Sequence, residues 1–174
     1  MTTSTSATVG LGIDRLLELE RRILAGRRIG IVCNPASVDG RFRHTADRLI
    51  ADPGITVAAL FGPQHGFRSD LQDNMIESPH GQDARRRVPV YSLYSETREP
   101  TANMLRDIDT LVIDLQDVGT RVYTYVYTMA NCMAQMRIAF AAANLSTHHS
   151  IGLIGMGGDC AFLYRLEKAR PACA

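Results

Sequence analysis

Four short apolar runs, each closed by residues that form turns, limit what this chain can fold into. They are rich in β-branched and aromatic side chains, which is typical of strands buried on both faces. The predicted strands span residues 28–33, 55–61, 88–94 and 110–115. The stretches around them are predicted to be helices, at residues 13–24, 45–51, 100–106 and 123–143. This alternation predicts an α/β fold, a Rossmann-like open parallel sheet with helices on both faces.

The domain organisation follows from length and composition. The chain has 174 residues, of which 45% are hydrophobic and 21% charged, enough for one globular domain with a sizeable core. Residues 1–10 are rich in Thr, Ser and Ala, and we expect a disordered N-terminus there. The Rossmann-like α/β domain is predicted over residues 11–143. Residues 144–174 form an atypical tail for which we expect poor order.

Charge, cysteines and hydropathy argue against several classes of protein. The net charge is +1, from 19 basic and 18 acidic residues, so bulk charge does not favour nucleic acid. No cysteine pair has C-x-x-C spacing, and the glycines of residues 152–158 miss the dinucleotide-binding register, so we expect no metal and no cofactor. No run of about 18 apolar residues occurs. The N-terminus lacks a signal-peptide pattern, so we expect no membrane partner and a cytoplasmic location; the oligomeric state is open.

Polar side chains follow each predicted strand at the point where the strand ends. Because the carboxyl ends of parallel strands share one edge of a sheet, we expect these residues to converge on one ligand site. Amides and carboxylates offer the donors and acceptors that sugar hydroxyls need, and arginine pairs with a substrate carboxylate. The candidates are Asn34 after the first strand, Gln64, His65 and Arg68 after the second, Glu77 in the long loop 64–87, and Asp114, Gln116, Asp117 and Arg121 at the fourth.

Several of these residues also have a purely structural interpretation. Asp114, on an apolar strand, is compatible with capping a neighbouring helix or bonding loop amides. Asp117 precedes a Val-Gly pair and is a good turn residue. His65 favours a functional role because its loop is long and polar. The alternating Tyr123, Tyr125 and Tyr127 are expected mostly to pack in the core.

Five segments, in this order, resemble the DUF1343 family, whose characterised members are exo-β-N-acetylmuramidases of the NamZ type. They read LGID at 11–14, GIVCNP at 30–35, ALFGPQHGF at 59–67, PVYSLY at 89–94, and VIDLQDVGTR at 112–121 followed by YTY at 123–125. The resemblance implies a Rossmann-like N-terminal subdomain, a second C-terminal subdomain and an active cleft between them. It also implies release of N-acetylmuramic acid, a sugar with a lactyl carboxylate, from the non-reducing end of peptidoglycan fragments.

The chain departs from the family pattern in two places. Gln64 stands where many members have Glu before a His-Gly pair, and an amide cannot act as a general acid or base. Residues 138–174 lack the strand and the Asp-Arg-Pro-Asn-Pro motif with which the family continues. We interpret the tail as the product of a truncation or a frameshift.

The resulting hypothesis is a glycoside hydrolase-like domain in which two carboxylates catalyse the reaction and a set of polar side chains binds the sugar. The predicted catalytic residues are Glu77, Asp114 and Asp117. The predicted substrate-binding residues are Asn34, Gln64, His65, Arg68, Gln116 and Arg121. The alternative is a carbohydrate-binding module without turnover, or an inactive fragment.

Overall fold

The computed structural model describes residues 11–69, 77–116, 123–142, 147–153 and 162–168. The helices are α1 (Gly12–Leu19), α2 (Thr45–Ile50), α3 (Ala102–Leu105) and α4 (Tyr125–Ala142), with a 3-10 turn at Arg21–Ile23. The strands are β1 (Arg28–Cys33), β2 (Thr56–Gly62), β3 (Gly81–Asp83), β4 (Val88–Ser92), β5 (Thr110–Asp114), β6 (Thr147–Leu153) and β7 (Phe162–Lys168). Within these described residues no helix is long and apolar enough to cross a membrane.

The strands form one sheet in the order β3-β4-β2-β1-β5-β7-β6. The central strands β4, β2, β1 and β5 are parallel, as the sequence predicts. The register places Cys33 opposite Asp114, so β1 and β5 end side by side. At the edges the sheet is mixed, because β3, β7 and β6 pair antiparallel. A short turn between β3 and β4 is sufficient only for antiparallel neighbours, whereas parallel strands need a long crossover.

Alternate side chains of the central strands build two cores, one on each face of the sheet. Ile29, Ile31 and Cys33 of β1 face α1 and α2. Val32 points the other way, into the core made with α3 and α4. Helices therefore cover both faces, as predicted. The helical residues of the first core include Ile13, Leu16, Ala46 and Leu49, and those of the second include Leu105, Cys132 and Met136.

Three parts of the chain differ from the predicted elements. The helix predicted over residues 13–24 ends at Leu19 and continues as a 3-10 turn. β3 was not predicted, because its three residues, Gly-Gln-Asp, carry no alternation of apolar side chains. In the tail the structure describes β6 and β7, which were not predicted either. The poor order expected for residues 144–174 stays a prediction for hydrogen exchange to test.

Candidate functional site

The end of β1 is tied to the end of β5 by a turn built around Asn34. The buried Asn34 side chain accepts a hydrogen bond from the Ala36 N–H (3.1 Å) and donates one to the carbonyl oxygen of Gln116 (3.4 Å). The Asn34 N–H donates to the hydroxyl of Ser37, which lies 2.5 Å from the carbonyl oxygen of Asp114. Asn34 and Gln116 thus act here as structural links, with both polar ends of the Asn34 amide already used.

His44 and Thr45, at the start of α2, complete this corner. The Nδ1 atom of His44 accepts from the Ala46 N–H (3.2 Å), so Nε2 carries the proton and donates to the carbonyl oxygen of Asn34 (2.9 Å). Burial lowers the pKa of His44, although its bond to Asn34 opposes the change. The neutral form of His44 therefore holds the loop after β1 in place.

Asp114 is the last residue of β5 and is buried. The hydroxyl of Thr45 donates to its Oδ2 atom at 2.5 Å. Among the described residues no arginine, lysine or histidine forms an ion pair with it. Burial raises the pKa of Asp114, and the hydrogen bond from Thr45 only partly opposes this. A carboxyl with a raised pKa at the carboxyl edge of a sheet is a suitable general acid.

The loop after β2 folds back on itself directly beside this edge. A Cβ atom on Gly62 would lie 2.5 Å from the backbone nitrogen of Phe67, so the turn requires glycine at that position. His65 has a positive φ of 72°. The Oε1 atom of Gln64 accepts from the hydroxyl of Thr124 (3.1 Å), and the ring of His65 stands perpendicular to that of Tyr123, 6.3 Å away. Gln64 and His65 therefore meet the segment that leads into α4.

The three tyrosines at positions 123, 125 and 127 have different surroundings. The rings of Tyr123 and Tyr125 are stacked with centroids 4.7 Å apart, and Tyr125 is buried. Tyr127 is 74% exposed, so the expectation of core packing is wrong for this residue. Positions 125 and 127 lie about 200° apart around a helix, which turns about 100° per residue, so both cannot face the same core.

A second polar cluster surrounds Asp83, at the end of β3. The buried carboxylate accepts from the backbone N–H groups of Arg85 (3.1 Å) and Arg86 (2.9 Å), from Nη1 of Arg86 (2.7 Å) and from Nη2 of Arg68 (3.3 Å). Burial alone would raise the pKa of Asp83, but the hydrogen bonds and charge of Arg86 and Arg68 outweigh it and lower the pKa. Arg68 is thus already paired with a carboxylate of the protein.

A cleft of about 500 Å³ lies beside this cluster, between residues 66–68 and 78–84. His80, which the sequence analysis did not single out, lines it. Its Nδ1 atom accepts from the Ser92 N–H (2.9 Å), which leaves Nε2 with the proton. The position of His80 in a long polar loop was the available signal for it.

Glu77 lies on the surface near the end of β4, and its Oε1 atom is 3.7 Å from Nη2 of Arg98. The guanidinium of Arg98 lies 3.9 Å above the ring of Tyr94. The structure therefore joins Asn34, Asp114 and Gln116 in one network, whereas Glu77 and Arg68 have other partners. Asp117 and Arg121 lie outside the described residues. Thr45, the partner of Asp114, was missed because only the tertiary structure brings α2 to β5.

Comparison with known proteins identifies the family that this sequence matches. The model of the family "Exo-beta-N-acetylmuramidase NamZ, N-terminal" matches residues 29–143. The peptidoglycan beta-N-acetylmuramidase NamZ of Bacillus subtilis (strain 168) is 47% identical over 131 residues, which are 75% of this chain and 31% of that protein.

Two solved structures of DUF1343 family proteins from Bacteroides fragilis NCTC 9343 are also similar. One is 40% identical with a TM-score of 0.65, and the match covers 78% of this chain and 32% of the solved chain. The other is 25% identical with a TM-score of 0.58, and the match covers 89% of this chain and 43% of the solved chain. The chain therefore spans about a third of the length of the curated relative that it matches.

Proposed function

Because the chain belongs to the family of exo-β-N-acetylmuramidase NamZ N-terminal domains, we propose that it binds the muramic acid end of peptidoglycan fragments and contributes to hydrolysis of its glycosidic bond. The relative from Bacillus subtilis is named as a peptidoglycan beta-N-acetylmuramidase, and it is about three times as long as the matched region. We propose that this chain supplies the N-terminal part of such a site, and that this part is formed at the carboxyl edge of the sheet.

The environment of Asp114 carries this proposal. A glycosidase needs one carboxyl group that is protonated when the substrate binds, so that it can protonate the leaving oxygen. Burial raises the pKa of Asp114, no described residue supplies it with a cation, and Thr45 holds the group in position. We assign Asp114 as the general acid. Glu77 and Asp117 are the candidates for the second carboxylate, and the exposed Glu77 is held beside Arg98.

The predicted binding residues divide into two kinds. Gln64 and His65 lie on the tight turn after β2, Gln64 bonded to Thr124 and His65 against Tyr123, and they offer amide, imidazole and aromatic surfaces for a sugar. Arg121 is assigned to the substrate carboxylate. Asn34 positions the loop after β1 by donating to the backbone carbonyl oxygen of Gln116, and Arg68 contributes only if it leaves Asp83.

A second candidate function is sugar binding without turnover. The observation that favours it is the amide of Gln64, which accepts a hydrogen bond from Thr124 at a position where a carboxylate is needed for proton transfer. In this case Asp114 has only a structural role beside Thr45.

One pair of measurements separates the two functions. Release of chromophore from a chromogenic N-acetylmuramide measures turnover, and NMR titration with N-acetylmuramic acid measures binding. We expect Asp114→Asn to lower turnover by about 10²–10⁴-fold, the worth of a positioned general acid. Asp107→Asn, a change in an exposed carboxylate before β5, is the matched control and should have no effect.

The outcomes are distinct. If the chain binds the sugar and Asp114→Asn still turns over substrate, Asp114 is not the general acid. Glu77 and Asp117 are then the remaining candidates for that role. Binding without any turnover supports the second function. The absence of both binding and turnover contradicts both functions. Gln64→Glu should have little effect on turnover if a loop carboxylate acts as base, and Glu77→Gln should then abolish it.

A further inference from the structure

A phenylalanine is held out into solvent beside the candidate site. Phe42 lies in the loop between β1 and α2 and is 88% exposed. Its φ is +59°, in the left-handed region that bulky side chains rarely adopt. Neither packing nor backbone preference explains a phenylalanine here, since glycine or asparagine suits this conformation better. Strained residues of this kind persist where the surrounding structure enforces them, often at sites that bind ligands.

The surrounding structure enforces the conformation through Asp39. Its buried carboxylate accepts from the backbone N–H groups of Arg41 (2.8 Å) and Arg43 (2.9 Å), from Nε of Arg43 (2.8 Å) and from Arg48. The Asp39 N–H donates to the carbonyl oxygen of Arg43, and the Phe42 N–H donates to that of Asp39, both at 2.9 Å. These bonds hold the base of the loop in place, and its tip projects into solvent.

The base of this loop is part of the candidate site. His44 bonds to the carbonyl oxygen of Asn34, and Thr45 bonds to Asp114. Phe42 is three residues from Thr45, so their Cα atoms are at most about 11 Å apart. The loop leaves the carboxyl end of β1, which is the edge of the sheet where Asp114 lies. Phe42 therefore lies in the loop that leaves the same edge of the sheet as the proposed acid.

The charge beside the ring narrows the chemistry of the ligand. Arg43 pairs with Asp39, but the exposed Arg41 has no ion pair with any described residue. An aromatic face stacks on the apolar face of a ring, and an unpaired guanidinium binds a carboxylate with two hydrogen bonds. We propose that Phe42 and Arg41 form an outer subsite for a sugar ring that carries a carboxylate, with the ring on Phe42 and the carboxylate on Arg41.

This inference rests on the proposed function and assigns residues to it that neither the sequence motifs nor the family match single out. The test uses the full chain and two probes in NMR titrations, N-acetylmuramic acid and N-acetylglucosamine, which lacks the carboxylate. Phe42→Ala should weaken binding of both sugars by up to about tenfold. Arg41→Gln should weaken only the acidic sugar, by about tenfold. Phe42→Trp should keep binding of both.

Matched controls lie at the opposite edge of the sheet. Leu19→Ala changes a side chain that is 58% exposed at the end of α1, and Arg22→Gln changes an exposed arginine of the 3-10 turn. Neither should alter binding. Equal affinities in Phe42→Ala, Arg41→Gln and the unchanged chain overturn the subsite but leave the proposed function standing. Failure of the unchanged chain to bind either sugar overturns both.

A stability measurement gives a readout independent of the ligand. Phe42→Gly relieves the left-handed backbone and removes no packing, so its urea midpoint should rise above that of the unchanged chain. A variant that is more stable but binds less well shows that the ring is present for binding. A lower midpoint in Phe42→Gly shows that the ring packs against the domain, and it contradicts the inference.

Discussion

Asp114 and Asp83 are both buried at the ends of strands, but their surroundings differ in the way that matters for chemistry. Asp83 receives backbone N–H groups and two guanidinium groups, and its pKa is lowered. Asp114 receives one hydroxyl and no cation from the described residues, and its pKa is raised. Burial disfavours the charge in both, so the difference comes from the partners. Full pairing makes a carboxylate structural, whereas incomplete pairing leaves it able to hold a proton.

The largest expected effect is on folding. Asp83→Asn should lower the free energy of unfolding by about 3 kcal/mol at neutral pH, because it leaves Arg86, whose side chain is only 11% exposed, with one carboxylate partner fewer. Asp114→Asn should change it by less than about 1 kcal/mol, because asparagine still accepts from Thr45. Urea unfolding of both variants measures this. Equal losses in the two variants would contradict the distinction drawn between the carboxylates.

The dependence on pH should have opposite signs at the two sites. The lowered pKa of Asp83 stabilises the fold above the unfolded pKa of about 3.9, and this contribution is lost as the pH falls through the folded value. The raised pKa of Asp114 has the reverse effect, a penalty that is absent below about pH 4 and grows until the pH exceeds the folded pKa.

Urea midpoints measured between about pH 3 and pH 7 test this difference. Asp83→Asn should approach the unchanged chain in stability as the pH falls. Asp114→Asn should gain stability relative to the unchanged chain as the pH rises. Parallel pH profiles for the two variants would show that both carboxylates are equally well paired.

The bond between Thr45 and Asp114 gives a smaller effect. Thr45→Val keeps the shape of the side chain and removes the donor, so the pKa of Asp114 should rise further. The fold should lose about 1 kcal/mol. Titration of the carboxyl carbon by NMR measures the pKa. Thr56→Val, at the exposed start of β2, is the control and should leave that titration unchanged.

The smallest effect is expected at Arg68. Its side chain is 63% exposed, so its contact with Asp83 is screened by solvent. Arg68→Ala should change stability by less than about 0.5 kcal/mol. Arg86→Ala, on the buried side of the same carboxylate, should be far more destabilising. A comparable loss at Arg68 would mean that both arginines hold Asp83 equally.

Much of the fold was predictable because it depends on local pattern. The four central strands appear within a few residues of their predicted positions, since buried apolar runs between turn residues have few alternatives. β3 was not predictable, because its backbone pairing with β4 needs no apolar side chains. The site was predictable only as an edge of the sheet. The hydrogen bond that Thr124 donates to Gln64 and the pairing of Arg68 with Asp83 join residues far apart in the chain.

The sequence by itself determined the alternation of strands and helices, the two-faced core and the family, because apolar periodicity and ordered motifs are local properties of the chain. Only the tertiary structure decided which carboxylates have a raised or a lowered pKa and which polar groups meet. The pKa of Asp114 depends on burial and on Thr45, and that of Asp83 on arginines folded around it. Such electrostatic effects depend on distances of a few ångströms between segments, and these distances exist only after the chain has folded.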